Sequence, residues 1–281
     1  MIHTANQLKA LVRNMSKGNS TQAQVIIRNY MMERFLERLS KSKYRDNFIL
    51  KGGTLISAMV GLDVRASLDI DTTLRGLPLT VPNITEFIGD IISVPLDDGV
   101  SFRVVSISDI MEEEEYPGLR VMMETKLESM RTPLKIDIST GDIITPKEIE
   151  YQFKLMFEDR SINILAYNLE TVLSEKLETI ISHGTANTRL RDFYDIYILQ
   201  HDISHVYDPL QLTEAYAATC AKRETLYSVE ECLTILEEVR NSPVMQTLWK
   251  NYQKKYEYAA EYTWEEIQNS VKELYLVAAG R

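Results

Sequence analysis

The sequence predicts a mixed α/β amino-terminal half built on a β-sheet, followed by an all-helical carboxy-terminal half. Three observations carry this reading. Short apolar runs, several of them alternating with period two, recur up to about residue 140. From about residue 160 the apolar spacing becomes i, i+3, i+4, i+7. A Gly-Gly pair stands between one apolar run and the helical segment after it. A chain of 281 residues accommodates two modest domains, placed at 1–160 and 161–281. With 44% apolar and 26% charged residues the composition is that of an ordinary globular protein, which excludes a disordered chain, a collagen-like repeat and a disulfide scaffold.

In chain order, residues 20–41 read as an amphipathic helix. Met32, Phe35, Leu36 and Leu39 keep helical spacing, with Glu33, Arg34, Glu37 and Arg38 on much of the other side. Phe48-Ile49-Leu50 suits a buried strand, ended by Lys51-Gly52-Gly53, and a helix is expected from Thr54 to Val60. Residues 66–74 alternate as a strand, with Leu68, Ile70 and Thr72 on one face and Asp69, Asp71 and Thr73 on the other. A short helix is expected within 78–95, a strand at 100–107, and a turn at Glu112–Glu115 with Pro117-Gly118. Strands follow at 119–128 and 133–139, the latter setting Leu134, Ile136 and Ile138 against Lys135, Asp137 and Ser139. Six helices are then expected at 168–183, 188–200, 209–224, 228–240, 243–259 and 263–279.

The formal charge is −10 but unevenly spread: residues 1–51 hold ten Lys/Arg against three acids, a net of +7, which leaves −17 for the rest. Such asymmetry suggests a polyanion-facing surface, though a helix whose solvated charges find partners elsewhere in the fold is the commoner reading. Cys220 and Cys232 are the only cysteines, so disulfides do not organise the chain. No apolar run reaches the ~20 residues of a membrane span. The opening MIHTANQLKALVRNMSKG lacks the apolar core of a signal peptide, and a cytoplasmic location without membrane association is expected.

Asp69 and Asp71 are two apart on a predicted strand and project from one face. Paired carboxylates repel, and a hard divalent cation such as Mg²⁺ or Mn²⁺ relieves that repulsion. Asp137, flanked by Ile136 and Ile138, supplies a third carboxylate if its strand is a neighbour. Upstream, Lys51-Gly52-Gly53-Thr54 places two glycines at a strand–helix junction, where backbone approaches a ligand closely and helix N–H groups favour phosphate. Neither a Walker A loop nor G-x-G-x-x-G is present. Arg65 and Ser67, just ahead of D-I-D, either contact phosphate or complete a turn. Lys176 falls inside the apolar stripe Leu169, Val172, Leu173, Leu177, Ile180, so it must snorkel out, pair with a local acid or meet a bound anion. Asp192 and Asp195 share a helix face near Arg189 and Arg191.

These motifs resemble the nucleotidyltransferase superfamily, whose signature is an apolar strand, a Gly-Gly or Gly-Ser turn, a helix, and a strand with D-x-D. More narrowly, the sequence is similar to the AbiEii/AbiGii toxin family, related to the MenT toxins. The resemblance rests on F-I-L-K-G-G-T-L-I at 48–56 and R-A-S-L-D-I-D at 65–71. It continues through L-S-E-K-L-E-T-I at 173–180 and R-L-R-D-F-Y-D-I-Y at 189–197. It departs from the pattern at Leu68, where a polar residue is expected.

The resemblance implies an α/β (α+β) fold, a nucleotidyltransferase-like mixed sheet with flanking helices, with a helical domain that completes the active site. It implies an enzyme that transfers a nucleotidyl group from an NTP, with Asp69, Asp71 and Asp137 on Mg²⁺ and Lys51, Gly52, Gly53, Thr54, Arg65 and Ser67 toward the nucleotide. Lys176, essential in that family, would neutralise pyrophosphate, and Asp192 and Asp195 carry over as site residues. Further implied are a role as a toxin in abortive-infection phage defence, a cognate antitoxin of the winged-helix repressor type, and transfer to the 3′ end of tRNA. Transfer to a protein or small-molecule (antibiotic) hydroxyl, and a non-catalytic nucleotide sensor, are the alternatives. The four histidines form no zinc motif, no G-x-S-x-G elbow occurs, and the tyrosines of the last third suit packing better than base stacking.

Overall fold

A computed structural model describes residues 2–110, 118–202 and 204–281. The turn expected at 112–117 lies outside these. The chain divides into two compact units. The first comprises 1–58, 66–142 and 149–166, and the second 59–65, 143–148 and 167–281.

The first unit is built on a seven-stranded mixed sheet. Its strands are β1 (Phe48–Lys51), β2 (Ile70–Leu74), β3 (Val100–Asp109), β4 (Gly118–Leu127), β5 (Met130–Thr140), β6 (Ile149–Lys154) and β7 (Ser161–Ala166), in the order β3-β4-β5-β2-β1-β7-β6. β2 pairs parallel with β5 and antiparallel with β1, which lies parallel to β7. Strands β6 and β7 fall where the sequence pattern points to no strand, and β7 supplies the far neighbour of β1. β2 begins only at Ile70. Ile70 and Thr72 are buried as expected, but Leu68 is 41% exposed, because it lies ahead of the strand rather than in it.

Helices α1 (Ala5–Met15), α2 (Ser20–Lys41), α3 (Gly52–Val60) and α4 (Val81–Ile92) accompany the sheet. α1, not foreseen from the sequence, opens on a capping box in which Thr4 and Gln7 satisfy each other's backbone N–H groups. Its Leu8 and Val12 pack with Ile26, Tyr30 and Met31 of α2. α2 packs against β5, β7 and α4 as well as α1, and is buried nearly all round from Asn29 to Leu39.

This corrects the simple amphipathic reading, since Glu33, Arg34, Glu37 and Arg38 are buried rather than solvated. Their charges are met inside the unit. The Arg38 guanidinium grips Asp98 at 2.7 and 2.9 Å, and Arg160 grips Glu37 with both bonds at 2.8 Å. Arg34, fully buried, lies 3.0 Å from Glu37 and 3.2 Å from Glu158. Burial pushes the Glu33 carboxyl up to about 8, although Arg34 and the Met156 N–H act against it. Burial also acts to raise Glu37, but the bonds from Arg160 and Lys41 hold it down at about 2.

Six of the ten cations in residues 1–51 thus have acidic partners: Arg34, Arg38, Lys41 with Glu37, Lys43 with Asp90, Arg45 with Glu150, and Lys51 with Asp142. Five of the acids they meet, Asp90, Asp98, Asp142, Glu150 and Glu158, lie well outside the segment, so its +7 is largely neutralised within the fold.

The second unit is helical: α5 (Leu169–His183), α6 (Leu190–His201), α7 (Pro209–Lys222), α8 (Val229–Asn241), α9 (Pro243–Lys255) and α10 (Trp264–Ala278). α5 is central, packing against α6, α7, α8 and α10 through Leu173, Leu177, Ile180 and their neighbours. Its N-cap Asn168 accepts from Thr171 N–H while its amide donates to the carbonyls of Thr145 and Lys147. Capping boxes at Ser228/Glu231 and Thr263/Glu266 start α8 and α10. Cys220 and Cys232 are free thiols. No described helix is long and apolar enough to cross a membrane.

Candidate active site

The first unit gathers the D-x-D pair, Asp137 and the Gly-Gly turn at one place in the sheet. The register of β2 and β5 sets Asp71 directly beside Asp137, and that of β1 and β2 sets Lys51 opposite Asp71. Gly52 follows with φ of +64°, and a Cβ there would lie 2.8 Å from the Cβ and Cγ of Asp71. Only glycine allows both this backbone conformation and the approach of that side chain. The next residue, Gly53, donates its N–H to Asp71 Oδ2 at 3.2 Å. The turn therefore seats the Asp71 carboxylate, using an amide that the sequence pattern assigns to phosphate. Thr54 and Ser67 both donate their hydroxyls to the Asp69 carbonyl, fixing the backbone just ahead of β2.

The carboxylates carry unequal loads. Burial, then the charges of Asp137 and Asp69, raise the Asp71 pKa above the usual carboxylate range, with Lys51 and the Gly53 N–H opposing them. Asp137 is held in a bidentate grip by Arg120, opposite it on β4, at 2.8 and 2.9 Å. Lys135 places its Nζ 2.7 Å from Asp69 and 3.4 Å from Asp137. Burial disfavours its charge, but the hydrogen bond it donates to Asp69 and the charges of Asp69 and Asp137 hold its pKa above the usual lysine value. Lys51 reaches Asp142 at 2.8 Å, and Ser139 donates to the same carboxylate at 2.7 Å.

Lys135, Arg120, Asp142 and Ser139 are the neighbours that sequence reasoning missed. The polar side of the L-K-I-D-I-S alternation displays Lys135, Asp137 and Ser139 on one face, but their partners are set by strand register.

The donor set is three aspartates with hard oxygens, one of them raised in pKa by burial and then by its like-charged neighbours, and this chemistry fits Mg²⁺ or Mn²⁺. Lys135 and Arg120 offset part of this charge. Among the described residues no three acidic, histidine or cysteine side chains are already gathered as a metal cage.

The second unit holds the remaining expected residues. Lys176 does face the packed side of α5, where its Nζ meets Asp192 at 2.6 Å and Asp195 at 2.8 Å. Arg65 closes on Asp195 at 2.7 Å, and Arg189 on Asp192 at 3.2 Å. Burial acts to raise both carboxyls. Lys176 and Arg189 nevertheless hold Asp192 below the usual range, and Arg65 with Lys176 holds Asp195 at about 2. Arg65 is buried with its guanidinium on Asp195, which leaves it almost no surface for a phosphate. Beside it, Tyr194 donates to the Val64 carbonyl at 2.8 Å and packs with Tyr252, Tyr258 and Tyr262, the packing role expected of these tyrosines.

A mixed sheet that sets a Gly-Gly turn against aspartates on adjacent strands is the framework of a nucleotidyltransferase. The fold comparison agrees. A Helicobacter pylori protein described as a nucleotidyltransferase superimposes with a TM-score of 0.51 at 15% identity, over 92% of this chain and 97% of that one. The Helicobacter pylori protein JHP933 gives 0.49 at 17% identity, over 92% and 94%. No curated protein matches in sequence. Residues 34–270 match the family model described as the nucleotidyl transferase AbiEii toxin of a type IV toxin–antitoxin system, and the chain belongs to that family.

Proposed function

We propose that this toxin transfers a nucleotidyl group from an Mg²⁺-bound NTP to an acceptor hydroxyl at the 3′ end of tRNA. The observation that supports it most is the in-register pair Asp71 and Asp137 beside the Gly52-Gly53 turn. Asp69, Asp71 and Asp137 would hold Mg²⁺, which when bound neutralises triphosphate charge and polarises the α-phosphate. Gly52 leaves room for Asp71, the Gly53 N–H orients it, and Arg120 fixes the plane of Asp137. The acceptor oxygen attacks the α-phosphorus in line, a P–O bond forms, and pyrophosphate leaves. The proposed role of Asp137 is to complete the metal site or to help take the hydroxyl proton, and that of Lys176, which the family resemblance assigns, is to neutralise the leaving pyrophosphate. Positioning and electrostatics carry the rate.

The tRNA assignment rests on the family resemblance. The basic amino-terminal segment contributes less than its charge suggests, because most of its cations are paired internally. Lys9, Arg13 and Lys17 are spaced four apart and exposed. Growth inhibition in phage defence, countered in the cytoplasm by a winged-helix antitoxin, completes the reading. Incubation with Mg²⁺, each α-³²P-NTP, total RNA and a cell extract tests it. Label in the tRNA band supports the proposal. Label on protein or on a small molecule instead moves the acceptor to the alternatives, and no label with any NTP refutes the transfer.

A further inference from the structure

Lys135 has no part in the reaction as described, yet its ammonium lies in the middle of the carboxylates. It gets there through strand geometry. Lys135 and Asp137 are two apart on β5 and share a face, and the parallel register that pairs Ile70 with Ile136 brings Asp69 opposite Lys135. One ammonium thus contacts two of the three aspartates, at 2.7 and 3.4 Å. Arg120 differs, since its planar fork is committed to both oxygens of Asp137. An ammonium is a compact point charge on a flexible four-carbon stem, and it can withdraw without dismantling a strand pair.

We propose that Lys135 is the resident counter-cation of this site, occupying the space a divalent cation needs between Asp69 and Asp137 and yielding it when the metal enters. This rests on reading the three aspartates as metal ligands. Metal entry must break two ammonium–carboxylate contacts, so the chain itself sets a low affinity for the bare ion. The same ammonium spares the empty site from carboxylate repulsion. Lys135 is on this account a positioning residue that keeps the site assembled before the metal arrives.

Mn²⁺ titration of the full chain, followed by the electron paramagnetic resonance of free Mn²⁺, tests this without any turnover. Lys135→Met and Lys135→Gln, checked for folding by circular dichroism, should bind Mn²⁺ roughly tenfold or more tightly than wild type, because a unit charge a few ångströms away is removed. Lys135→Arg, which keeps a cation on the carboxylates and so retains the fold, should bind no more tightly than wild type. Adding Asp69→Asn to Lys135→Met should abolish the gain.

Unchanged or weaker binding in the Met and Gln variants, with wild type binding normally, overturns the proposal and leaves the metal reading intact. If those two variants fail to fold, tighter binding by Lys135→Arg than by wild type overturns it, and weaker binding supports it. Absence of Mn²⁺ binding in wild type and every variant overturns both readings, whereas binding that appears only once the lysine is removed supports both.

Discussion

Replacing Gly52 with alanine separates two demands that the turn makes on one residue. The first is backbone conformation: an L-residue at φ of +64° costs about 1–2 kcal/mol. Alanine recovers roughly 0.4–1 kcal/mol of this by restricting the unfolded chain. The second is space. The new Cβ would lie 2.8 Å from two carbons of Asp71, against about 3.5–4.0 Å for a relaxed carbon contact. Such overpacking costs about 1–3 kcal/mol. The sum is a loss of about 1–4.5 kcal/mol, centred near 3.

Gly76 supplies the control. Its φ is +74°, but the nearest atom to a Cβ there is Asn47 Nδ2 at 3.8 Å, so Gly76→Ala should cost about 1 kcal/mol or less. Urea unfolding of both variants measures the difference from the midpoints at constant m. Adding Asp71→Gly, which removes both of those carbons, to Gly52→Ala should return the overpacking part of the loss, because the two effects couple through one contact. Equal destabilisation by Gly52→Ala and Gly76→Ala, or no recovery in the double variant, would refute the argument that the turn exists to seat Asp71.

Other perturbations follow from the buried charges. Arg38→Ala leaves Asp98 buried without its guanidinium and should cost about 3–5 kcal/mol in urea unfolding, with part regained on adding Asp98→Asn. Glu33, raised to about 8 by burial, binds a proton more tightly folded than unfolded. Its contribution to stability is full below about pH 4.5 and is lost as pH rises toward 8, with a slope of up to about 1.4 kcal/mol per pH unit. Glu33→Gln should flatten that limb in unfolding curves taken between pH 5 and pH 8. Lys176→Met leaves Asp192 and Asp195 with one cation each and should cost about 3 kcal/mol. A variant with unchanged stability would show that the ammonium is not structural.

What could be read in the sequence and what could not divides along the range of the interactions. Local signals were sufficient for the Gly-Gly junction, the D-x-D pair and the six carboxy-terminal helices, each of which the chain builds from neighbouring residues. β6 and β7 were missed because six-residue strands such as Ile149–Lys154 carry too few apolar positions to stand out. Their place is decided by pairing, β7 with β1. The charged face of α2 misled for a related reason. Spacing alone puts Arg34 and Arg38 on a solvent side, while Glu158 and Asp98, far along the chain, draw them into the interior. In the site, Asp137 was legible as a candidate, but Lys135 and Arg120 gain their roles only through the register of β2, β4 and β5.

The central claim is transfer of a nucleotidyl group through the Asp71 site. Its most direct test compares NTPs labelled at the α or at the γ phosphate, given to wild type and to Asp71→Asn with Mg²⁺ and total RNA. Wild type should attach the α label to an acceptor, leave the γ label in released pyrophosphate, and lose the activity on Asp71→Asn. Attachment of the γ label, or equal α labelling by Asp71→Asn, would contradict it.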